Sequence, residues 1–500
     1  MKRLIPTLLV GLITTMNHDT SMADMNIESG PSAGPVNLPL IPYPRSVTPG
    51  PGQLRMAGNV TLSTPDEAEN ASRALREWLA DRGINVSMDT GPRISLSLGD
   101  AQTHGAEGYR LSIADDIRIE AATDTGLFYG VQTLRQLFPV QAQPGYTLPH
   151  VVIDDRPEFE WRGNMLDVAR SFLPLEYLRA HIDRMSRFKL NRLHLHLSDD
   201  QGWRVEIKAF PKLTEVGGAS SVEGGRSGFY TQAELRELVA YGEARGVIIV
   251  PEIDLPGHTQ AAIASYPELA CPDVTNLSTY SGVEVGFSKL CLTQPETTYS
   301  FTEGVLTEIV DIFPSPYIHI GGDEIKDPLY AEFIGKATRI VESLGRTAVA
   351  WEEASVADND PGVLLQLWND EYDIQPALDR GHRLILSPCS YTYFDHGNYE
   401  GQPNTYTWCR KEGVPMERAY QFNPQSYSQV HGVESAMWSE LVHTDATADN
   451  RLWPRVLTTA EIGWSPAEAR NYEQFLDRLE ALRPQLDAMG IQYYRPQALP

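Results

Sequence analysis

The sequence predicts an α/β fold, a (β/α)8 barrel catalytic domain preceded by a small α+β domain, and three observations lead there. From Trp161 onward, eight short apolar segments alternate with helical ones: "RGNMLDV", "RLHLHLS", "VIIVPEID", "YIHIGG", "RTAVAWEE", "VLLQLWN", "HRLILSP" and "VESAMWSE". The helices between them have legible ends, since Thr231 and Glu234 form a capping box opening "QAELRELVAYGEARG" and Gly246 closes it before the next strand. The pattern changes at "VVIDDRPEFEWRG", which separates this alternation from a different style upstream. Eight strand–helix alternations in order argue for a closed barrel, with a doubly wound sheet as the structural rival.

Taken in order, residues 1–23 read as a secretory signal peptide. Two basic residues precede an apolar run too short to span a bilayer, and "SMA" ending at Ala23 offers a small-residue cleavage site. Residues 24–37, polar and rich in Gly and Pro, read as a linker. The small domain is assigned to 38–155, with helices at "ASRALREWLADRG" (ending at Gly83) and "GLFYGVQTLRQLF", and strands at "ISLSLG" and "YRLSIADDIRIEAA". The barrel takes 156–500. No later stretch is long and apolar enough for a transmembrane helix, so an exported protein without membrane insertion, periplasmic or secreted, is expected.

The 500 residues are 42% hydrophobic, ample for a large core, and carry a formal charge of −25. That charge excludes a phosphate-backbone partner such as nucleic acid and directs attention to neutral or cationic small substrates. Four cysteines fall into two similarly spaced pairs, Cys271 with Cys291 and Cys389 with Cys409. Export permits both bridges, free buried thiols fit equally well, and no spacing resembles a zinc site.

Chemistry in such barrels lies at the C-terminal strand ends. Those ends hold Asp167 and Arg170; Asp199 and Asp200; Glu252, Asp254 and His258; Asp323 and Glu324; Trp351; Trp368; Tyr393 and Asp395; Trp438 and Glu440. Tryptophans suit the apolar faces of sugar rings and Arg, Asp and Glu suit hydroxyls, so the set points to a carbohydrate pocket. One tryptophan alone is more often core packing; three at strand ends reverse that. The adjacent acids Asp323 and Glu324, behind two glycines, taken alone read equally well as a solvated turn. A metal-dependent hydrolase is the rival enzyme class. His194 and His196 share one strand face and could ligate a metal with His258 and Asp199, but tryptophans stand where further ligands are needed. A core position for at least one of those two histidines fits better.

Together, "HIGGDE", "HLHLSDDQGWR", "PEIDLPGH", "LDVARSF" and "ESAMWSE" resemble the β-N-acetylhexosaminidases of glycoside hydrolase family 20, over about residues 38–480. The resemblance implies an exo-acting retaining hydrolase of terminal β-linked GlcNAc or GalNAc, in which the substrate's 2-acetamido group is the nucleophile. Glu324 would be the general acid/base and Asp323 would orient the acetamido group. His258 and an aspartate of the "SDD" pair, taken as Asp199, would form a relay to Glu324. Tyr393 would hold the acetamido carbonyl, Trp351, Trp368 and Trp438 would wall the pocket, and Arg170, Asp395 and Glu440 would grip hydroxyls. Trp408 would line the aglycone side. The partners implied are β-linked N-acetylhexosamine oligosaccharides or glycoconjugates, and no metal or organic cofactor is implied. The sequence departs from the family pattern around Cys389-Ser390-Tyr391 and in a short Asp327–Gly345 helical region, both of which bear on the rim. A disaccharide-releasing relative of the lacto-N-biosidase kind and a catalytically inactive carbohydrate-binding barrel are the alternatives.

Overall fold

All eight expected barrel segments are strands: Trp161–Asp167, Arg192–His196, Ile248–Glu252, Tyr317–His319, Thr347–Trp351, Leu364–Leu367, Leu384–Leu386 and Val430–Met437. Each runs parallel to the next and the eighth pairs with the first, closing the barrel. The structure is a computed structural model that describes residues 38–56, 58–99, 104–139 and 145–495. The expected leader and linker lie outside the described residues.

The strands read as near-continuous apolar runs because both of their faces are covered. Alternate residues point outward to the helices, as Leu193 and Leu195 do in the main core. The inward residues form layers. Trp161, Val250, Val349, Leu364 and Ile385 make an apolar floor. Above it the alternation places polar side chains, His194, Glu252, His319, Gln366 and Glu434, all fully buried. Gly163 makes room for this layer, since a Cβ there would lie 2.0 Å from Glu434 Oε2.

Upstream lies a seven-stranded mixed sheet, ordered Ser46–Arg55, Thr147–Asp155, Tyr109–Ile113, Ile117–Ala121, Arg93–Leu98, Asn59–Ser63 and Asn85–Val86. Its helices are Glu69–Asp81 and Asp124–Leu137. Asp124 accepts the amides of Asn70 and Ala71 at 3.0 and 2.9 Å, so one helix supplies the N-terminal acceptor of the other. The expected strands and helices are present, but four more strands belong to the sheet. Ser46–Arg55 was hidden by Pro49, Gly50, Pro51 and Gly52; it is an edge strand whose register shifts between Pro49 and Gln53, where proline costs no ladder bond.

The sheet and barrel belong to one compact unit. At their seam, Lys189 Nζ lies 3.1 Å from Asp155 Oδ2, and Arg162 binds Glu107 at 2.8 Å. Both cysteine pairs are disulfides, Cys271–Cys291 and Cys389–Cys409, which settles the choice the sequence left open. Among the described residues no helix is long and apolar enough to cross a membrane.

Candidate active site

Successive residues of a strand face opposite ways, so two neighbouring acids reach one cavity only if the chain leaves the strand between them. It does so here. The fourth strand ends at His319, and Gly321, Gly322 and Glu324 have φ of 70°, 99° and 60°. Gly321 has no alternative, because a Cβ there would lie 1.9 Å from Asp254 Oδ1. The amide of Gly322 donates to that same oxygen at 3.1 Å, and Tyr330 OH donates to the Gly322 carbonyl. The turn leaves the Asp323 side chain nearly buried and that of Glu324 33% exposed, both lining the same cavity.

His258 meets both acids, with Nε2 3.5 Å from Glu324 Oε2 and 3.7 Å from Asp323 Oδ2. Its own φ is 52°, a strained backbone for a histidine and a mark of a position held by its surroundings. Behind it, Nδ1 lies 3.3 Å from Asp199 Oδ1 and 3.9 Å from Asp200 Oδ2. Asp199 is the partner the geometry favours, for it also takes Arg170 at 2.8 Å and His196 Nε2 at 2.7 Å. Asp200 turns away to the amide of Gln260 and the hydroxyl of Ser288. His194 and His196, the candidate metal ligands, are both committed inside the barrel. His194 Nδ1 binds Glu434 at 2.8 Å, and His196 Nδ1 binds Glu252 at 2.5 Å.

The cavity has a volume of about 350 Å3, at the small end for ligand pockets. Its walls include Arg170, Trp368, Tyr393, Asp395, Trp438 and Glu440, drawn from the ends of the first, sixth, seventh and eighth strands. Asp167 ties the first and eighth ends together by accepting the amides of Arg170 and Ser439 at 3.0 and 2.9 Å. Arg170 stacks over Trp438 at 4.9 Å, while its Nε and Nη1, with Glu440 Oε2, have no hydrogen-bond partner among the described residues. Buried polar atoms left in this state at a cavity are built for a ligand. Trp408 stands on the rim, 55% exposed, edge-on to Trp368 and Tyr393. Trp351 departs from its expected place as a wall. It is fully buried outside the lining, its Nε1 donating to Glu252 Oε1 at 2.9 Å, because the strand's alternation turns it into the polar layer behind Trp438.

The family model for the catalytic domain of glycosyl hydrolase family 20 matches residues 159–332 and 325–467, and that for the family's domain 2 matches 37–156. The chain belongs to glycosyl hydrolase family 20. It is 34% identical to a β-N-acetylhexosaminidase of Cellulomonas fimi, over 83% of this chain and 86% of that one. A β-hexosaminidase of Porphyromonas gingivalis is 32% identical over 91% of this chain, which spans only 64% of that relative's length. A variant Streptomyces plicatus β-hexosaminidase solved with its product GlcNAc superposes with a TM-score of 0.86 at 37% identity, covering 93% of this chain and 98% of that one. The barrel is thus the catalytic domain of a family 20 member and the sheet its domain 2.

The electrostatics of this family 20 site separate its carboxyls. Burial would raise Asp199, but Arg170, His258 and the hydrogen bond from His196 outweigh it and hold Asp199 well below the usual carboxylate range. Burial would lower His258, yet Asp199, Asp323 and Asp254 push it well above the ordinary imidazole value, so it carries a proton. Burial, with Glu324 and Glu252, raises Asp323 against the pull of His258. Burial and then Asp323 raise Asp254 strongly, which leaves it the better proton holder of the two. Burial lifts Glu440 to about 7 despite Arg170.

Reading the sequence missed several neighbours. Val283 and Val285, from the loop closed by Cys271–Cys291, and Tyr406, from the loop closed by Cys389–Cys409, all line the cavity. They sit far from any strand end and show no periodicity that would set them apart. Glu353 adjoins the acids, its Oε1 3.4 Å from the Glu324 amide, and burial followed by Asp323 lifts it to about 7. Its signal in the sequence is the second glutamate of "RTAVAWEE", two residues past the end of the fifth strand.

Proposed function

We propose that this chain is an exo-acting, retaining β-N-acetylhexosaminidase that removes terminal β-linked GlcNAc or GalNAc by substrate-assisted catalysis. One observation carries the reading: Asp323 and Glu324, adjacent in sequence, share one cavity and one histidine. A retaining glycosidase with a protein nucleophile needs its two carboxyls on opposite sides of the scissile bond, about 5–5.5 Å apart, and family 20 is among the exceptions to that rule. Neighbours on one turn suit the exception. Glu324 protonates the glycosidic oxygen while the acetamido oxygen attacks the anomeric carbon. Asp323 holds the amide N–H and offsets the positive charge of the cyclic intermediate; Glu324, now a base, then draws a proton from the water that opens it.

His258, charged and backed by Asp199, stands 3.5 Å from Glu324 and holds it in place for proton transfer. Arg170, whose Nε has no hydrogen-bond partner among the described residues, grips hydroxyls of the bound sugar with Glu440 and Asp395. Trp368 and Trp438 face its apolar sides, and the phenol of Tyr393, which burial keeps protonated, donates to the acetamido carbonyl. Trp408 faces the leaving group at the rim. The cavity volume suits one sugar residue in the glycone site.

Oligosaccharides of β-linked N-acetylhexosamine, chitin fragments among them, are the proposed substrates. Export to the periplasm or medium is supported by the leader-like residues 1–23 and by two disulfides, which persist in oxidising compartments. A small domain over 38–155 and a barrel over 156–500 are the proposed units. The test is a release profile on chitooligosaccharides and lacto-N-tetraose with purified protein. Monosaccharide release is the expected result; disaccharide release, or none, would overturn the reading.

A further inference from the structure

The relay from Glu324 does not stop at Asp199. Asp199 Oδ2 takes His196 Nε2 at 2.7 Å, and His196 Nδ1 lies 2.5 Å from Glu252 Oε2. Both ring nitrogens of His196 thus meet carboxylate oxygens, which requires an N–H on each and makes the ring an imidazolium. Glu252 is fully buried near the barrel axis and has further neighbours: Trp351 Nε1 donates to Oε1 at 2.9 Å, His194 Nε2 lies 3.0 Å from Oε2, and His319 Nδ1 lies 3.1 Å from Oε1. His319 Nδ1 accepts the amide of Gly321 at 3.0 Å, so that nitrogen carries no hydrogen for Glu252 and the ring only packs beside the carboxylate.

Resting on the function proposed above, we infer that Glu252 is a positioning residue for it, a single buried carboxylate that fixes the acid's relay through His196 and Asp199 and holds Trp351 behind the pocket. A carboxylate wholly removed from water is costly unless paired, and a hydrophobic residue of similar size would satisfy packing alone. Glu252 is instead surrounded by three histidines and an indole, each belonging to or touching a different part of the site. The titratable groups around His196 are Glu252, Asp199 and the proton-holding Asp254, with Arg170 and His258 on the far side of Asp199. His196 and His194 offset the charge of Glu252, and Glu434 binds His194 from the other side.

Without the charge of Glu252, His196 loses its proton more easily and no longer donates to both carboxylates, so Asp199, and through it His258, is held less firmly in place. The basic limb of the pH–rate profile should therefore be displaced in Glu252→Gln. For substrates with poor leaving groups kcat should fall by roughly tenfold or more, within the ~10²–10⁴ that acid–base catalysis supplies. Activated aryl glycosides should lose much less, and KM should change little.

The experiment is a double-mutant cycle of Glu252→Gln and His196→Gln, read by pH profile and leaving-group dependence. The inference requires the displaced limb in both single variants and little further change in the double variant. Wild-type limb and leaving-group dependence in Glu252→Gln, whatever its specific activity or melting temperature, would reduce Glu252 to a structural role, as would additive effects. Should the variants fail to fold, histidine-ring 15N spectra of the wild-type protein decide instead. His196 must carry both N–H protons at pH 7, and a neutral ring at that pH contradicts the inference. An inactive wild-type enzyme would sink the proposed function and not the charge clamp, which the spectra read independently.

Discussion

Two buried charge clusters in this molecule are built to opposite plans. At the seam between sheet and barrel, every oxygen of Asp155 is engaged: Oδ1 accepts the amides of Arg45 and Arg156, and Oδ2 accepts Tyr109 OH at 2.7 Å, Trp464 Nε1 at 2.9 Å and Lys189 Nζ at 3.1 Å. At the barrel mouth, groups as deeply buried are left incomplete, with Arg170 Nε and Nη1 and Glu440 Oε2 lacking hydrogen-bond partners among the described residues. The seam uses its charges to hold two layers together. The mouth accepts the cost of unpaired polar atoms, which a ligand can recover, and local rules of good packing fail where function needs them to.

The comparison can be broken at either end, most drastically at Glu324. Glu324→Gln should lower kcat/KM by ~10²–10⁴ for poor leaving groups and far less for activated aryl glycosides, since only the former need a proton. Equal losses across a leaving-group series would remove Glu324 from the acid role. At the seam, Asp155→Asn should leave Lys189 buried without its counter-charge and cost ~3–5 kcal/mol in urea unfolding, while kcat/KM of the folded enzyme stays within about twofold. A large kinetic loss there would erase the distinction between the clusters.

Arg170→Lys sharpens the contrast, because it keeps the charge and loses the fork that binds Asp199 and Asp167 at the cavity wall. A fall in kcat/KM of about 10²-fold with a nearly unchanged melting temperature is expected, and unchanged kinetics would make Arg170 structural. The smallest effect belongs to Glu440, whose folded value of about 7 lies above the ordinary 4.5. Its ionisation therefore destabilises the fold increasingly as pH rises from the ordinary value to about 7, and fully above that. Glu440→Gln should raise the melting temperature by about 1–3 °C at pH 8 and not at pH 4.5, with KM increased. A gain independent of pH would contradict the burial of its charge.

The barrel was legible because its strands are apolar on both faces and its helices are capped by local chemistry; the box at Thr231 and Glu234 is present as read. The edge strand Ser46–Arg55 was not, since its two prolines speak against a strand unless the sheet edge is known. In the site, adjacency revealed Asp323 and Glu324, and strand ends revealed Arg170 and Glu440. What stayed hidden depends on three-dimensional alternation. Trp351 and Trp368 both follow apolar strand residues, yet one faces the polar layer and the other the cavity. His196 looked like a core residue or a metal ligand because nothing local announces that it joins Asp199 to Glu252.

The central claim, that the substrate's acetamide attacks and Asp323 serves it, is tested most directly by fluorination of the N-acyl group. Electron withdrawal weakens the carbonyl oxygen as a nucleophile, so rates should fall steadily from acetyl through mono-, di- and trifluoroacetyl substrates, and plain β-glucosides should scarcely react. Asp323→Asn should lower kcat and flatten that dependence, because the amide loses the carboxylate that orients it and offsets the charge of the cyclic intermediate. Wild-type rates indifferent to fluorination would mean that a protein group or an activated water is the nucleophile, and the account of the paired acids would be wrong.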